Sequence, residues 1–497
     1  MKRSLKHQFY RNGVISMTVK HDHTTHPFLI NNEWLESKTG ETVPIHSPDN
    51  GVQVGQVPAM SREEVNQAVN LAADVQENWA ATEVHERSDL LHRWADELDQ
   101  VADKIGAMIQ KEVGKTFASA KSEVKRTAQL IRHTAEEGLR THGSFIQGDA
   151  FPGASRSTKA MVQKVPHGVI LAISPFNYPV NLAASKIAPA LVTGNTVVFK
   201  PATQGAVSGL MMIDALVKAG LPKGVLNVVT GRGSVIGDYV VTHPKLDMIT
   251  FTGGTATGQH IAKKASMIPV VLELGGKDPA IVLEDADLKK AAKEIVSGAF
   301  SYSGQRCTAI KRVMVTEQAA DELVEKIREH VAALSVGYST EEVDIIPMID
   351  QKSADYVTGL IEDAVKKGAT IVHEGQNDQN LLSPVVLDHV TEDMEIAWEE
   401  QFGPVLPIMR VANELEAVDL EKRNAYGLQA SIFTKDMEKA FTLAERMNVG
   451  TVQINGKTSR GPDHFPFLGV KNSGQGVQGI GRSIDSMLRD KVIVLNL

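Results

Sequence analysis

The chain contains a single cysteine, Cys307, among 497 residues. A lone thiol forms no intrachain disulfide and supplies no cysteine-rich metal site, so a disulfide framework is excluded and a reducing compartment is expected. Long apolar runs are also missing: none approaches the roughly 20 residues that a membrane-spanning helix needs. Positive charge is not in excess. With 52 Lys and Arg against 60 Asp and Glu, the formal net charge is −8, which argues against nucleic acid and anionic membranes as partners while leaving room for a local basic pocket. The first residues, MKRSLKHQFYRNGVISMTVKHDHTTH, are basic but lack the apolar core of a secretory signal. Residues 1–26 read as a flexible tail in which nothing fixes a metal geometry for His21, His23 and His26. The expectation is a cytoplasmic protein without a metal.

What is present is globular: 42% hydrophobic and 23% charged residues, over a length that exceeds one ordinary core and implies two or more domains. Ser61 and Glu64 form a capping box, followed by Val65, Ala68, Val69, Ala72, Val75 and Trp79 at helical spacing. Further helices are predicted over about 86–111 and 115–140. From Gly168 the texture changes to short β-rich apolar runs, at 168–175, 196–202, 225–231, 248–254 and 270–276, separated by helix-like segments. That alternation predicts a parallel, doubly wound sheet with both faces covered. It resumes after about Ala291 with strands near 311–316, 383–387, 429–434 and 450–455 and helices near 317–334, 351–367 and 436–447, a second α/β domain. The last residues, DKVIVLNL, read as an edge strand that needs a partner, which another subunit could provide. There is no internal repeat and no low-complexity linker.

The residues that could carry chemistry are individually ambiguous. A lone buried cysteine is most often an inert small hydrophobe. Cys307, however, follows Ser303, Gly304, Gln305 and Arg306, a polar, flexible approach in which an adjacent guanidinium favours thiolate. No histidine near it in sequence nominates itself as a base. In FTGGTATG, residues 251–258, Gly253 and Gly258 have half of a P-loop, but Gln259-His260 stands where Lys-Ser/Thr belongs, and the GxGxxG fingerprint is absent. A glycine turn feeding a helix N-terminus can seat a pyrophosphate; a plain structural turn is about as common. Glu273 is a carboxylate in an otherwise apolar strand, where burial would raise its pKa into the range useful for a general base. Asn177 lies just past a strand's C-terminal end, where open α/β sheets bind ligands, although turn asparagines are commonplace.

Taken in order and spacing, SPFNYP (174–179), FKPA (199–202), FTGGT (251–255), ELGGKD (273–278), GQRC (304–307) and EEQFGP (399–404) resemble the aldehyde dehydrogenase superfamily from about Asn31 to Leu497. The resemblance implies a cofactor-binding Rossmann-like domain of residues 27–145 and 169–290, a catalytic domain of 291–468, and oligomerisation or bridging segments at 146–168 and 469–497. The fold expected is thus α/β, with two doubly wound parallel-sheet domains plus a small oligomerisation β-element. It also implies roles. Cys307 attacks the aldehyde, Asn177 and the Cys307 N–H hold the oxyanion, and Glu273 activates water on the resulting thioester. Ser174, Lys200, Thr203, Asp238, Gly253, Gly254, Thr255 and Glu400 bind the cofactor. Having both Cys307 and Glu273 argues for hydrolysis rather than transfer to coenzyme A. Two departures stand out: Gly254 replaces the usual serine, putting a hydroxyl contact to the cofactor phosphate in doubt, and Gln401 replaces the usual proline of the EEPFGP motif, with a local effect expected.

NAD-preferring relatives commonly carry glutamate three residues beyond the FKP lysine, whereas this chain has Thr203 there. A glutamate would repel a 2′-phosphate, so NADP is the expected cofactor. Arg126, Tyr178, Arg306 and Arg460, with Asn177 and Thr308 as further substrate contacts, resemble the non-phosphorylating NADP-dependent glyceraldehyde-3-phosphate dehydrogenases, in which the matching arginines and tyrosine bind a substrate phosphate. That branch also matches at ISPFNYPVNLA, KIAPAL, GRGSVIGDY and YSGQRCTA. It implies a phosphorylated aldehyde as substrate and a homotetramer built as a dimer of dimers. The competing readings are a semialdehyde dehydrogenase whose arginines grip a carboxylate, a cofactor-free hydrolase using Cys307, and a catalytically silent binding or structural protein on the same fold. Thr203→Glu is expected to shift preference from NADP towards NAD, read as the ratio of kcat/KM values; an unchanged ratio would place the discriminator elsewhere.

Overall fold

The computed structural model describes residues 24–497. The apolar runs after Gly168 form a six-stranded sheet. Its order from edge to edge is Gly474–Gln475, Val270–Glu273, Met248–Thr252, Val169–Ile173, Thr196–Lys200 and Leu226–Val228. The five strands between 169 and 273 are mutually parallel, and only Gly474–Gln475 runs antiparallel. The segment after residue 468, expected to serve oligomerisation or bridging, therefore also closes this sheet's edge. Chain progression reverses between Val169–Ile173 and Met248–Thr252, the switch point at which such sheets open a crevice beyond the carboxyl ends of their strands. Ser174 and Gly253 are the residues that leave those two strands.

A second sheet runs Thr370–His373, Val385–Asp388, Val405–Val411, Arg312–Thr316, Pro279–Val282, Gln429–Phe433 and Thr451–Ile454, all parallel apart from the first. Its five inner strands are buried along most of their length, which is why they read as continuous apolar runs. Cys307 lies in the turn before Arg312–Thr316 and Glu400 in the loop before Val405–Val411, so both sit at the amino end of this sheet.

Helices Arg62–Ala81 and Asn181–Val192 pack on the first sheet, and Val84–Val113 and Phe117–Gly138 form a further layer outside Asn181–Val192. Arg62–Ala81 starts at the Ser61–Glu64 capping box, with Val65, Ala68, Val69, Ala72 and Trp79 buried. Val84–Val113 and Phe117–Gly138 pack along each other. Trp94 of the former is fully buried, and its indole N–H donates to Met212 O at 3.1 Å. A third, three-stranded antiparallel sheet has Thr158–Pro166 in the middle, with Leu488–Asn496 and Ser144–Gln147 at the edges. The terminal strand thus finds its partner within the chain, paired with residues 158–166 throughout. What remains open is the outer edge, where Val492 and Val494 are each 55% exposed.

The expected tail ends earlier than residue 26. Thr25 bridges Gln56, the His26 N–H donates to Gln56 O at 2.8 Å, and the His26 side chain is buried. Burial pushes that imidazole down to about 4. His21 and His23 lie outside the described residues. Among the described residues, no helix is long and apolar enough to cross a membrane, and no group of His, Cys, Asp and Glu is arranged to hold a metal.

The loop carrying Asn177 and Tyr178 is pinned by a buried ion pair. Lys115 and Glu123 are 2.5 Å apart, with side chains 1% exposed. Glu123 Oε1 accepts the N–H groups of Val180 and Asn181 at 3.0 and 3.1 Å, capping the helix Asn181–Val192 from outside. Lys115 Nζ lies 3.4 Å from the centre of the Tyr178 ring. Removing one partner of such a pair leaves an uncompensated buried charge. Glu123→Ala is therefore expected to cost about 3–5 kcal/mol of unfolding free energy in urea titrations; a loss below about 1 kcal/mol would show that the pair does not hold this loop.

Candidate active site

The turn before Cys307 is built by left-handed backbone. After the helix Leu288–Phe300 the chain turns through Tyr302, Ser303 and Gly304 with φ of 55°, 52° and 72°, a conformation rare for side-chain-bearing residues and held only where surroundings dictate it. The Ser303 hydroxyl donates to Ile346 O at 2.7 Å and accepts the Ile346 N–H at 2.8 Å. Gln305 donates to Pro347 O and accepts the Ile349 N–H. A Cβ on Gly304 would stand 2.4 Å from Gly403 O. The polar, glycine-containing approach thus locks the turn rather than loosening it.

Cys307 opens onto a cavity of about 860 Å³ at the switch point of the first sheet. Of the residues singled out from the sequence, Ser174, Asn177, Lys200, Asp238, Gly253, Gly254 and Glu400 line the same cavity. Thr203 does not. It lines a neighbouring cavity of about 900 Å³ that Arg232 also lines. Thr255 begins the helix Thr255–Lys264, and its hydroxyl accepts the Gly275 N–H at 3.2 Å. Thr308 is buried, and its carbonyl accepts the Thr458 hydroxyl. A Cβ on Gly254 would meet nothing within 4 Å, so the serine of the family pattern has room there.

The electrostatics of the thiol differ from the sequence expectation. Enclosure by the protein pushes Cys307 up to about 11; Lys311 is the foremost cation acting against this, followed by Arg460, while Glu273 and Asp278 act in the same sense as burial. Arg306 is not that cation. Its guanidinium turns back to the carbonyl ends of the preceding helix, with Nη2 donating to Gly298 O at 2.5 Å and Nε to Ser301 O at 3.2 Å, where a cation satisfies orphan helix carbonyls.

Glu273 is buried at the end of its strand. Oε2 accepts Arg460 Nη1 at 2.7 Å and the Thr252 hydroxyl at 3.3 Å, whereas Oε1 has no hydrogen-bond partner among the described residues. Lys186 Nζ donates to the Thr252 hydroxyl at 2.6 Å; burial brings this lysine down to about 8, with Glu273 opposing that shift. Arg460 Nη2 also donates to Gln478 Oε1 at 2.7 Å. The Asn177 amide donates to Gln305 O at 3.0 Å, reaching the turn before Cys307. Lys186, Thr252, Lys311 and Gln478 are neighbours that the sequence reading missed. One signal was available: Lys186 is the only charged residue in the helix NLAASKIAPALV, every residue of which is buried.

On the far side, Arg126 grips Asp463 through Nε and Nη2, both at 2.8 Å, and donates to Arg460 O at 3.1 Å. Arg126 and Arg460 both line a cavity of about 960 Å³. Tyr178 is close enough to act electrostatically on Arg126. The structure therefore brings Arg126, Tyr178 and Arg460 together, and turns the Arg306 guanidinium towards helix carbonyls.

The cofactor cavity suits a nicotinamide dinucleotide. The Ser174 hydroxyl is buried in the wall without a partner among the described residues. Lys200 is buried with no carboxylate beside it; its one hydrogen bond among the described residues is to Pro201 O at 3.4 Å, and burial brings it down to about 8. An anionic ligand would complete both groups. The amino end of the helix Thr255–Lys264 faces the same space.

A fold of two facing parallel sheets with a thiol, a carboxamide and a buried carboxylate at their junction agrees with the comparisons to known proteins. The aldehyde dehydrogenase family model matches residues 34–493, and the chain belongs to this family. The NADP-dependent glyceraldehyde-3-phosphate dehydrogenase of Streptococcus equinus is 53% identical over 468 residues, 94% of this chain and 98% of that protein. The protein of the same name from Pisum sativum is 47% identical over 487 residues, 98% of each chain. The crystal structure of NADP-dependent glyceraldehyde-3-phosphate dehydrogenase from Bacillus halodurans C-125, complexed with NADP, superposes with a TM-score of 0.94 at 60% identity, covering 95% of this chain and 99% of that one.

The raised thiol pKa has a direct consequence. Below that pKa the thiolate fraction grows about tenfold per pH unit, so without cofactor, alkylation of Cys307 by iodoacetamide is expected to climb at that rate between about pH 7 and pH 9. With one cysteine in the chain the signal belongs to a single group, and a plateau below about pH 8 would contradict the enclosure of the thiol.

Proposed function

We propose that the chain oxidises D-glyceraldehyde 3-phosphate to 3-phosphoglycerate with NADP, releasing the acid by hydrolysis. The observation that carries the hydrolytic reading is the pairing of a cavity-facing thiol, Cys307, with Glu273 buried at the same junction and opposed to Lys186, Thr252 and Arg460. Cys307 adds to the aldehyde carbon, forming a tetrahedral thiohemiacetal. The Asn177 amide and the Cys307 N–H hold its oxyanion, the Asn177 amide exchanging Gln305 O for the substrate oxygen. Ser174, Lys200, Glu400 and the turn at Gly253 hold NADP, with Thr203 and Arg232 facing the cavity next door. Bound NADP supplies the hydride acceptor. Glu273 takes a proton from water as that water attacks the thioester on Cys307, and the carboxylic acid leaves as the thiol reforms.

Arg126 and Arg460 support an anionic substrate, because both residues line one cavity and the Arg126 guanidinium reaches the Arg460 carbonyl. Each is already paired, with Asp463 and Glu273 respectively, so the substrate phosphate shares or displaces these carboxylates. The in-plane grip of Arg126 on Asp463 shows that a carboxylate fits the same fork, which favours a carboxylated semialdehyde as the second reading. We further propose that residues 27–145 and 169–290 form the cofactor domain and 291–468 the catalytic domain, with 146–168 and 469–497 mediating assembly. The exposed outer edge of Leu488–Asn496, with Phe145 and Ile146 on the opposite strand, supports a homotetramer. The single cysteine supports a reducing, cytoplasmic location.

The test is spectrophotometric. NADPH should form from glyceraldehyde 3-phosphate without added inorganic phosphate or coenzyme A; an absolute requirement for either would overturn hydrolysis. Arg126→Ala is expected to lower kcat/KM by roughly tenfold or more on the phosphorylated aldehyde, for the loss of about 1.5–3 kcal/mol of charge-assisted hydrogen bonding, with much less effect on glyceraldehyde. Arg460→Ala should slow both substrates, since Glu273 loses its partner as well. Equal losses for Arg126→Ala on both substrates would direct attention to the semialdehyde.

A further inference from the structure

We propose that Lys311 is a positioning residue that clasps the nucleophile turn to the Glu400–Gln401 loop, fixing how the thiol meets the cofactor. The inference rests on the roles given above to Cys307 and Glu400. Lys311 follows the nucleophile by one helical turn's length of chain but sits at the mouth of the strand Arg312–Thr316, its side chain 1% exposed. Its N–H is tied to Asp278 O at 2.9 Å. Its ammonium donates to two carbonyls of the Cys307 turn, Cys307 O at 2.6 Å and Arg306 O at 3.0 Å, and forms an ion pair with Glu400 Oε1 of the other loop at 3.3 Å. An ammonium suits this convergence, being compact and free to rotate, where a planar guanidinium fork is not.

The same residue grips the loop a second time. Gln401 Nε2 donates to the Lys311 carbonyl at 2.8 Å and to Val405 O at 2.9 Å, while Gln401 Oε1 accepts Lys277 Nζ at 2.5 Å. Glu400 Oε1 also accepts the Gly276 N–H at 3.1 Å, and a Cβ on Gly275 would stand 2.0 Å from Glu400 Oε2. The Glu400 carboxylate is thus held between an ammonium and a backbone N–H while its side chain remains 17% exposed in the cofactor cavity. This gives the Gln401 departure a physical reason: a proline there could neither donate to the Lys311 carbonyl nor accept from the buried Lys277 ammonium. The charged and titratable groups facing the thiol are Lys311 and Arg460 on one side and Glu273 and Asp278 on the other. Removing the Lys311 charge therefore makes the thiolate harder to form.

Two readouts that use no aldehyde separate this inference from the choice of substrate: NADP affinity by calorimetric titration, and the pH profile of iodoacetamide alkylation of Cys307 without cofactor. Lys311→Met is expected to weaken NADP binding severalfold and to slow alkylation at about pH 8 by roughly tenfold, equivalent to one pKa unit. Gln401→Met keeps the Lys311 charge and should weaken NADP binding while leaving the alkylation profile in place. A folded Lys311→Met protein with either readout at its wild-type value overturns the clasp. If Lys311→Met does not fold, wild-type NADP affinity in Gln401→Met overturns it instead.

Discussion

The site depends on how little chain separates the two sheets. Val270–Glu273 is the last parallel strand of the first sheet and Pro279–Val282 belongs to the second, with only residues 274–278 between them. The carboxyl end of one sheet is therefore pressed against the amino end of the other. In that seam lie Glu273 at the end of its strand, and the Cys307 turn and the Glu400 loop ahead of theirs. Gly275 and Gly276 make the approach possible, since a Cβ at either would stand within 3 Å of a carboxylate oxygen of Glu400 or Asp278. The glycine pair is a steric requirement of the seam.

Bringing polar chain ends into such a seam takes many charges out of water, and the arrangement compensates them in pairs and networks. Glu273 meets Arg460 and Thr252, Glu400 meets Lys311, Lys115 meets Glu123, and Lys277 meets Gln401. Buried charge is tolerated when its hydrogen-bonding capacity is filled. Among the groups left incomplete within the protein are Glu273 Oε1 and Ser174 Oγ, and the Lys200 ammonium has only the Pro201 carbonyl among the described residues; these three are expected to meet ligand or water.

Much of the architecture was legible because it follows from periodicity. Unbroken apolar strands announced parallel sheets covered on both faces, and the Ser61–Glu64 capping box marked a helix start that the structure reproduces. The terminal strand was legible as a strand, but its partner was not. Residues 158–166 lie more than three hundred positions away, and pairing at that distance leaves no local trace. The tail boundary failed for a similar reason, since Thr25 and His26 are held by Gln56 rather than by anything beside them in sequence.

The sequence by itself determined the class of fold and the family and nominated the candidate reacting groups, because these reside in strand patterning and in short motifs whose spacing the chain carries. Tertiary structure alone decided which cation acts on which group. Sequence adjacency suggested Arg306 as the partner of Cys307, yet the turn through Tyr302 and Ser303 sends that guanidinium back to Gly298 and Ser301 and brings in Lys311. Arg460 meets Glu273 across a separation of 187 residues, and Lys186 reaches Thr252 across 66. Electrostatic effects depend on distance through space and on burial, and neither is written along the chain.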